Sequence, residues 1–193
     1  MKKAGIHFYV NAPIVLWFVG LSTLALIANV ITNGWTNEHI FSVYNSSFSD
    51  PLTFVRFFTH VLGHADLQHY VANMTTFLLL APLLEEKYGS VDLFVIIVST
   101  ALVTGLVNFF FFPNVRLIGA SGVVFAMILA GAFTGIKNKA VPITFVLVVI
   151  IYLGQEIYSA FLIKDNISHF THIIGGFVGS WFGYRIAKAR HNN

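Results

Sequence analysis

Residues 118–136 read IGASGVVFAMILAGAFTGI, an apolar stretch in which glycines lie close to a serine, Ser121, at its start. Only about 16 residues run from Ser121 to the end of the stretch, whereas a membrane-spanning helix needs about 20. We therefore expect a short span that begins below the membrane surface, so that the preceding loop must dip into the membrane to meet it. Non-helical backbone at that depth is tolerated only inside protein or beside water.

The composition of the whole chain supports a membrane setting for this stretch. Of 193 residues, 56% are hydrophobic and 10% are charged, while a soluble domain carries roughly 25% charged residues. Eleven Lys and Arg with eight Asp and Glu are too few to cover a globule of this size in water. These numbers exclude a soluble globular domain, a disordered chain and a nucleic-acid-binding protein. The absence of cysteine excludes disulfides, thiolate metal sites and cysteine nucleophiles.

The charged residues divide the chain into apolar stretches, each predicted to be a transmembrane helix of an all-α, polytopic membrane protein. The six predicted spans are 12–31, 67–84, 91–112, 119–136, 140–161 and 168–187. The long loop before the second span carries many aromatic residues. Within it, Asp50 and Pro51 resemble an N-cap followed by proline at the first helical position. We predict a short amphipathic helix at Pro51–Leu62, lying in the outer membrane interface.

Basic residues predict the orientation of these spans, because cytoplasmic loops are enriched in Lys and Arg. With the N-terminus in the cytoplasm, eight basic residues lie inside and three lie outside. We therefore expect both termini to be cytoplasmic. The eight are Lys2, Lys3, Lys87, Lys137, Lys139, Arg185, Lys188 and Arg190, and the three are Arg56, Arg116 and Lys164.

Three polar residues inside spans two, four and six have the same predicted depth. His69, Ser121 and His172 each lie 16 residues before a charged residue at the cytoplasmic end of their span. At 1.5 Å per residue, 16 residues rise about 24 Å. All three side chains are therefore expected at one level in the outer half of the membrane, where polar residues are costly and usually functional.

The residue types at this level suggest acyl chemistry. A serine at a helix start has free backbone N–H groups and the positive end of the helix dipole beside it, which suits a developing oxyanion. Downstream of His172, Gly175, Gly176, Gly179 and Gly183 share its helix face. Such a face lets two helices approach closely. That approach would bring the imidazole of His172 to the hydroxyl of Ser121 as a general base.

The remaining groups at this depth complete the predicted site. No Asp or Glu lies at this level in spans two, four or six, so we predict a Ser–His dyad, with Phe125 stacking on the imidazole in place of a carboxylate. His69 and Asn73 are at i and i+4, one above the other. With the backbone N–H of Ser121 they would form an oxyanion hole.

Each of these residues also has a plainer interpretation. Ser121 alone could be a helix cap, and His172 alone a hydrogen-bonded buried histidine. His60, His64 and His69 could suggest a metal, but Val61 stands where an H-E-x-x-H site has its glutamate, and we predict no metal. His60 and His64 are expected to tie down the loop before the second span. Arg56 is expected to bond loop carbonyls, and Glu156 either lines a water-filled entrance or lies near the interface.

Three motifs in order resemble the rhomboid family of intramembrane serine proteases, in its minimal six-span bacterial form. Residues 119–122 read GASG, matching G-x-S-G; residues 69–73 read HYVAN, matching H-x-x-x-N; and residues 172–179 read HIIGGFVG, matching H-x-x-G-x-x-x-G. Phe125 stands where many members have tyrosine, and Val55 where many have tryptophan. These departures remove no catalytic atom.

The resemblance implies a fold and a set of roles. The fold would be a six-transmembrane-helix bundle with a short central fourth helix, formed by residues 1–193 as one domain. Ser121 would be the nucleophile, His172 the base, and His69, Asn73 and Ser121 the oxyanion hole. Neither cofactor nor metal is implied. The supporting residues would be Gly119, Gly122, Phe125, Gly175 and Gly179.

The resemblance also implies an activity and a location. The chain would be a serine endopeptidase that hydrolyses peptide bonds in or next to transmembrane helices, with the lipid bilayer and membrane-protein substrates as its partners and no nucleic acid. It would lie in the inner, cytoplasmic membrane, its active site opening to the outer face. The main alternative is a catalytically silent rhomboid-like protein that binds transmembrane helices. A transporter or channel is less favoured, because the polar residues do not follow a full path across the membrane.

Overall fold

The computed structural model of the chain describes residues 9–133, 140–144, 146–151, 154 and 166–191. The regular structure in these residues is predominantly helical, and an antiparallel β-bridge joins Val43 and Leu117. The all-α fold class is therefore confirmed for the described residues. The helices are α1 (Pro13–Ile31), α2 (Trp35–His39), α3 (Leu52–Thr59), α4 (Leu67–Tyr88), α5 (Ser90–Phe111), α6 (Ser121–Phe133) and α7 (Asn166–His191).

Helices α1, α4, α5, α6 and α7 coincide with five of the predicted spans, with ends that differ by a few residues. Of the predicted span 140–161, residues 146–151 are helical, and most of the rest, including Glu156, lies outside the described residues. Within the described part, α1 and α5 are long and apolar enough to cross a membrane, and α6 is apolar but shorter, with 13 residues. The six-span arrangement stays a prediction.

Helix α3 lies within the predicted amphipathic segment but is shorter at both ends. The N-cap is Pro51 and not Asp50, so that prediction was wrong by one residue. The Asp50 carboxylate still accepts the N–H of Leu52 at 3.0 Å and pairs with Arg56 at 3.0 Å. The Nε–H of Arg56 donates to the carbonyl of His39 at 2.7 Å, which confirms the expected structural role of this buried arginine.

The N-terminus of α1 is capped by a side chain from α4. Ala12 has no side-chain acceptor, and α1 begins with proline, so the first free N–H groups need another partner. The buried carboxylate of Glu85 accepts the N–H of Ile14 and of Val15, each at 3.0 Å. It also accepts the hydroxyl of Ser90, at the start of α5, at 2.6 Å. One carboxylate therefore joins three helices.

The short helix α6 lies at the centre of the bundle and packs against α4, α5 and α7. Its closest neighbour is α7, whose glycines lie against the α6 backbone. A methyl group on Gly175 would lie 2.2 Å from the carbonyl oxygen of Gly122, and one on Gly179 would lie 2.1 Å from that of Ala126. No side chain fits at such distances, so the two backbones are in direct contact.

The loop that leads into α6 is tied to the long segment between α1 and α4. Val43 and Leu117 exchange two backbone hydrogen bonds, at 3.0 and 2.9 Å. The buried Asn108 on α5 donates from Nδ2 to the carbonyls of Val43 and Val115, each at 3.0 Å. These contacts fix where the chain re-enters the bundle before Ser121.

We predict that Glu85→Gln destabilises the protein, because the neutral amide has only one acceptor oxygen to replace the carboxylate. Hydrogen bonds to a charged group contribute roughly 1.5–3 kcal/mol each, and unsatisfied buried N–H groups cost about 1–3 kcal/mol. Thermal unfolding in detergent should show a clearly lower midpoint. The matched control is Glu86→Gln, the same change at an exposed neighbour. Equal midpoints for the two variants would contradict the capping role.

We also predict opposite effects of adding one methyl group at two helical glycines. Gly179→Ala inserts a methyl into the α7–α6 contact, and overpacking of this kind costs about 1–3 kcal/mol or more. Gly20→Ala on α1 inserts it where no atom lies within 4 Å, and alanine favours a helix by roughly 0.5–1 kcal/mol over glycine. Unfolding midpoints should fall for Gly179→Ala and stay level or rise for Gly20→Ala. A Gly179→Ala protein as stable as the wild type would show that the helices are not in backbone contact.

Candidate active site

Ser121 is the first residue of α6 and is half-buried. The chain reaches it through Gly119, whose φ of +126° lies in a region that side chains rarely adopt. The N–H of Gly119 donates to the carbonyl of His60 at 2.9 Å, and Val124 donates to the carbonyl of Ala120 at 2.9 Å. The helix therefore starts at this point, and the backbone N–H groups of its first turn have no intrahelical acceptor.

Helix α4 forms one wall beside this turn. A methyl group on Gly119 would lie 2.7 Å from Cε1 and 2.8 Å from Nε2 of His69, and 3.9 Å from Nδ2 of Asn73. The His69 ring is thus packed directly against Gly119. A side chain at position 119 would collide with that ring. The buried Nδ2 of Asn73 has no hydrogen-bond partner among the described residues. This amide is a donor that a ligand could satisfy.

Helix α7 forms the opposite wall. A methyl group on Gly122 would lie 3.7 Å from Cγ2 of Thr171, the residue before His172. The ring of His172 stacks on that of Phe125, with centroids 5.9 Å apart and planes 16° from parallel. Below it, Gly176 lies against the same Phe125 ring. The half-buried His172 is therefore held beside the first turn of α6.

The described structure thus brings the predicted site residues to one place on three helices. Gly119 and Gly122, on either side of Ser121, contact the walls from α4 and α7 respectively. His69 and Asn73 line the first wall, and Thr171 with His172 lines the second. An alcohol, an imidazole and unsatisfied N–H donors at a helix start are the groups that acyl transfer uses. The chemical roles of these residues stay predictions at this point.

His60 and His64, in the loop before α4, are completely buried. Nδ1 of His60 donates to the carbonyl of Arg56 at 3.1 Å, and its Nε2 lies 3.3 Å from Oγ1 of Thr104. Burial lowers the pKa of His60 to about 4, and burial, with a smaller effect of His69, lowers the pKa of His64 to about 4. Both rings are therefore neutral at pH 7. The expectation that they tie the loop down agrees with these contacts.

Across the described ranges, no three His, Cys, Asp or Glu side chains converge as a metal site would require. The expected absence of a metal and of a cofactor stays a prediction. The two histidines nearest each other, His64 and His69, meet edge to face with ring centroids 5.1 Å apart. That contact orients the His69 ring toward its place beside Gly119.

Two features of the site were not anticipated from the sequence. The carbonyl of His60 accepts the N–H of Gly119, and no residue type signals a backbone carbonyl as a partner. The Glu85 cap had a signal that could have been used. Helix α1 begins with Ala12 and Pro13, so a cap had to come from elsewhere in the chain.

Comparison with known proteins agrees with this arrangement. Residues 51–189 match the rhomboid domain. The chain is 28% identical to mouse rhomboid-related protein 2 over 144 residues, which is 68% of this chain and 47% of that protein. It is 24% identical to the rhomboid protease GlpG of Haemophilus influenzae over 191 residues, or 95% of each chain.

A further relative is the rhomboid protease GluP of Bacillus subtilis, 24% identical over 168 residues, which is 83% of this chain and 32% of GluP. The chain thus spans less than half the length of the mouse and Bacillus proteins. The rhomboid domain match covers most of the chain, including all three motif segments. The chain therefore belongs to the rhomboid family, a family of membrane-embedded proteins that includes intramembrane serine proteases.

Proposed function

We propose that this chain is an intramembrane serine endopeptidase that hydrolyses peptide bonds in or next to transmembrane helices of membrane proteins. The observation that carries the proposal is the position of the α6 N-terminus. Gly119 lies against His69 on one side, and Gly122 lies against Thr171, beside His172, on the other. Family membership supports the same activity, since two of the relatives are named proteases.

In the proposed reaction, Ser121 is the nucleophile and His172 the general base. The imidazole removes the proton of the Ser121 hydroxyl as Oγ attacks the scissile carbonyl, and the carbonyl π electrons move to the oxygen. The resulting oxyanion accepts hydrogen bonds from the Ser121 N–H, His69 and Asn73. On collapse, the C–N bond breaks and His172 gives its proton to the leaving amine. Water then attacks the acyl-enzyme by the reverse sequence and frees Ser121.

The supporting residues shape the site without touching the substrate. The stack of Phe125 on His172 holds the imidazole plane, a role that a carboxylate has in a triad. Gly175 and Gly179 let α7 approach α6 closely enough for a dyad. Gly119 and Gly122 carry no side chains of their own and so leave room for His69 on one wall and Thr171 on the other. This dyad needs neither a metal nor a cofactor.

The membrane placement belongs to the same proposal. Residues 1–193 form one domain of six spans with both termini in the cytoplasm, in an inner membrane, and the site opens toward the outer face. Helix α6 does not need to face lipid in this placement, because eight of its 13 residues are buried and it packs among α4, α5 and α7. Membrane-protein substrates enter sideways between the second and fifth spans, with the loop after the fifth span as a cap.

We predict that a fluorophosphonate probe labels the purified wild-type protein at Ser121, because an activated hydroxyl attacks the phosphorus. Ser121→Ala should lose both labelling and cleavage of a model transmembrane substrate. The control Ser99→Ala, the same change at a half-buried serine on α5, should keep both. His172→Ala should lower both by at least about 100-fold, since general-base catalysis contributes roughly 10²–10⁴-fold.

Two outcomes of this experiment would overturn the proposal. Cleavage that persists in Ser121→Ala would remove Ser121 from the mechanism, and labelling that survives in His172→Ala would remove the proposed base. A folded wild-type protein that is neither labelled nor active would instead favour the silent, helix-binding alternative.

We further predict that Asn73→Leu lowers kcat about 10²–10³-fold with little change in KM. Leucine is nearly the same size as asparagine but lacks the amide N–H that donates to the oxyanion. The control is Gln68→Leu, which removes an exposed amide one turn earlier on the same helix. The measurement is steady-state cleavage in detergent micelles or liposomes. A rise in KM at constant kcat would assign Asn73 to substrate binding and contradict its role in the transition state.

A further inference from the structure

Near its C-terminal end, α7 carries a recess formed by Trp181, Tyr184, Arg185 and Lys188, here called the basic recess. Its volume is about 300 Å³, and Ala189 also lines it. The four side chains are at i, i+3, i+4 and i+7, so they share one face of the helix. Two aromatic rings and two cations on one face make a surface of defined chemistry.

The basic recess lies at the opposite end of α7 from His172. Arg185 and Lys188 follow His172 by 13 and 16 residues, a rise of about 20 and 24 Å along a helix. If His172 lies in one half of the membrane, this distance places the two cations at the other membrane interface. Tryptophan and tyrosine are enriched at that level, where lipid headgroups lie.

The side chain of Arg185 is directed back along the helix, toward its N-terminal end. Its guanidinium lies over the Trp181 ring, 5.8 Å from the ring centroid. Helical side chains lean toward the N-terminus, so this charge lies deeper than its own Cα position. Trp181 and Tyr184 are 62% and 52% exposed, which leaves their rings open to lipid beside the charge.

The charge of the basic recess is not balanced by an ion pair in the described structure. The two salt bridges found there join Arg56 to Asp50 and Arg116 to Glu38, both in the loops at the other end of the bundle. Basic residues also offset the dipole at a helix C-terminus, but that effect is confined to the last turn. Arg185 lies six residues before the end of α7, so the dipole does not account for it.

We propose that the basic recess binds the headgroup of an anionic phospholipid. Arg185 and Lys188 contact the phosphate oxygens, while Trp181 and Tyr184 flank the glycerol and the first acyl carbons and present an indole N–H and a phenol O–H. Two cations without a counter-charge favour a lipid of net negative charge over a zwitterionic one. The proposal rests on membership of a membrane-embedded family and does not depend on protease activity.

Native mass spectrometry of the full chain in detergent tests this proposal. The probes are palmitoyl-oleoyl phosphatidylglycerol, the matching phosphatidylcholine and inorganic phosphate. The wild type should retain phosphatidylglycerol up to about 30-fold better than phosphatidylcholine, since each of the two basic residues contributes about fivefold near an anionic surface. The double variant Arg185→Gln/Lys188→Gln should lose that preference. The control Arg185→Lys/Lys188→Arg retains both charges and should keep it.

The wild-type comparison needs no variant, so a double variant that fails to fold does not remove the test. Equal retention of the two lipids by the wild type would overturn the proposal. A preference that survives in Arg185→Gln/Lys188→Gln would place the lipid elsewhere. Displacement of the lipid by millimolar inorganic phosphate would show a site for a free anion and contradict the assignment to a lipid.

Discussion

The structure depends on the backbone contact between α6 and α7. Gly175 and Gly179 of α7 lie so close to the carbonyls of Gly122 and Ala126 that no Cβ fits between them. In lipid, helices gain little from hydrophobic burial against each other, and close packing of small residues is a main source of their association. The same contact sets the height of His172 relative to the start of α6. The close packing of α6 against α7 therefore also determines where His172 lies relative to Ser121.

The other side of the site depends on α4 and the loops. Gly119 is held by the carbonyl of His60 and has room for the ring of His69 only because it lacks a side chain. Glu85, at the far end of α4, joins that helix to α1 and α5. The rigid surroundings matter because donors that are already in place need no reorganisation when charge develops on a substrate. Such an arrangement suits the hydrolysis proposed for Ser121.

Much of this arrangement was predictable from the sequence. Membrane thickness sets the length of an apolar span, and the rise per residue of a helix converts the spacing of polar residues into their depth. The long helices α1, α4, α5 and α7, the short α6 and the small-residue face after His172 were anticipated on those grounds, whereas α2 was not. The N-cap of α3 was misplaced by one residue, since Asp50 bonds the Leu52 N–H without being the cap. The Glu85 cap and the His60 carbonyl were missed because they join distant segments. The missing cap at the start of α1 is visible in the sequence, but no local pattern identifies the residue that supplies it.

The proposed hydrolysis depends most directly on contact between the Ser121 hydroxyl and the His172 imidazole at the start of α6. A crystal structure of the fluorophosphonate adduct would measure it. We predict phosphorus bonded to Oγ of Ser121, a phosphoryl oxygen about 3 Å from the Ser121 N–H, and a His172 ring nitrogen within about 3.2 Å of the adduct. An adduct on another residue, or a His172 ring turned away beyond the reach of a side-chain rotation, would contradict it.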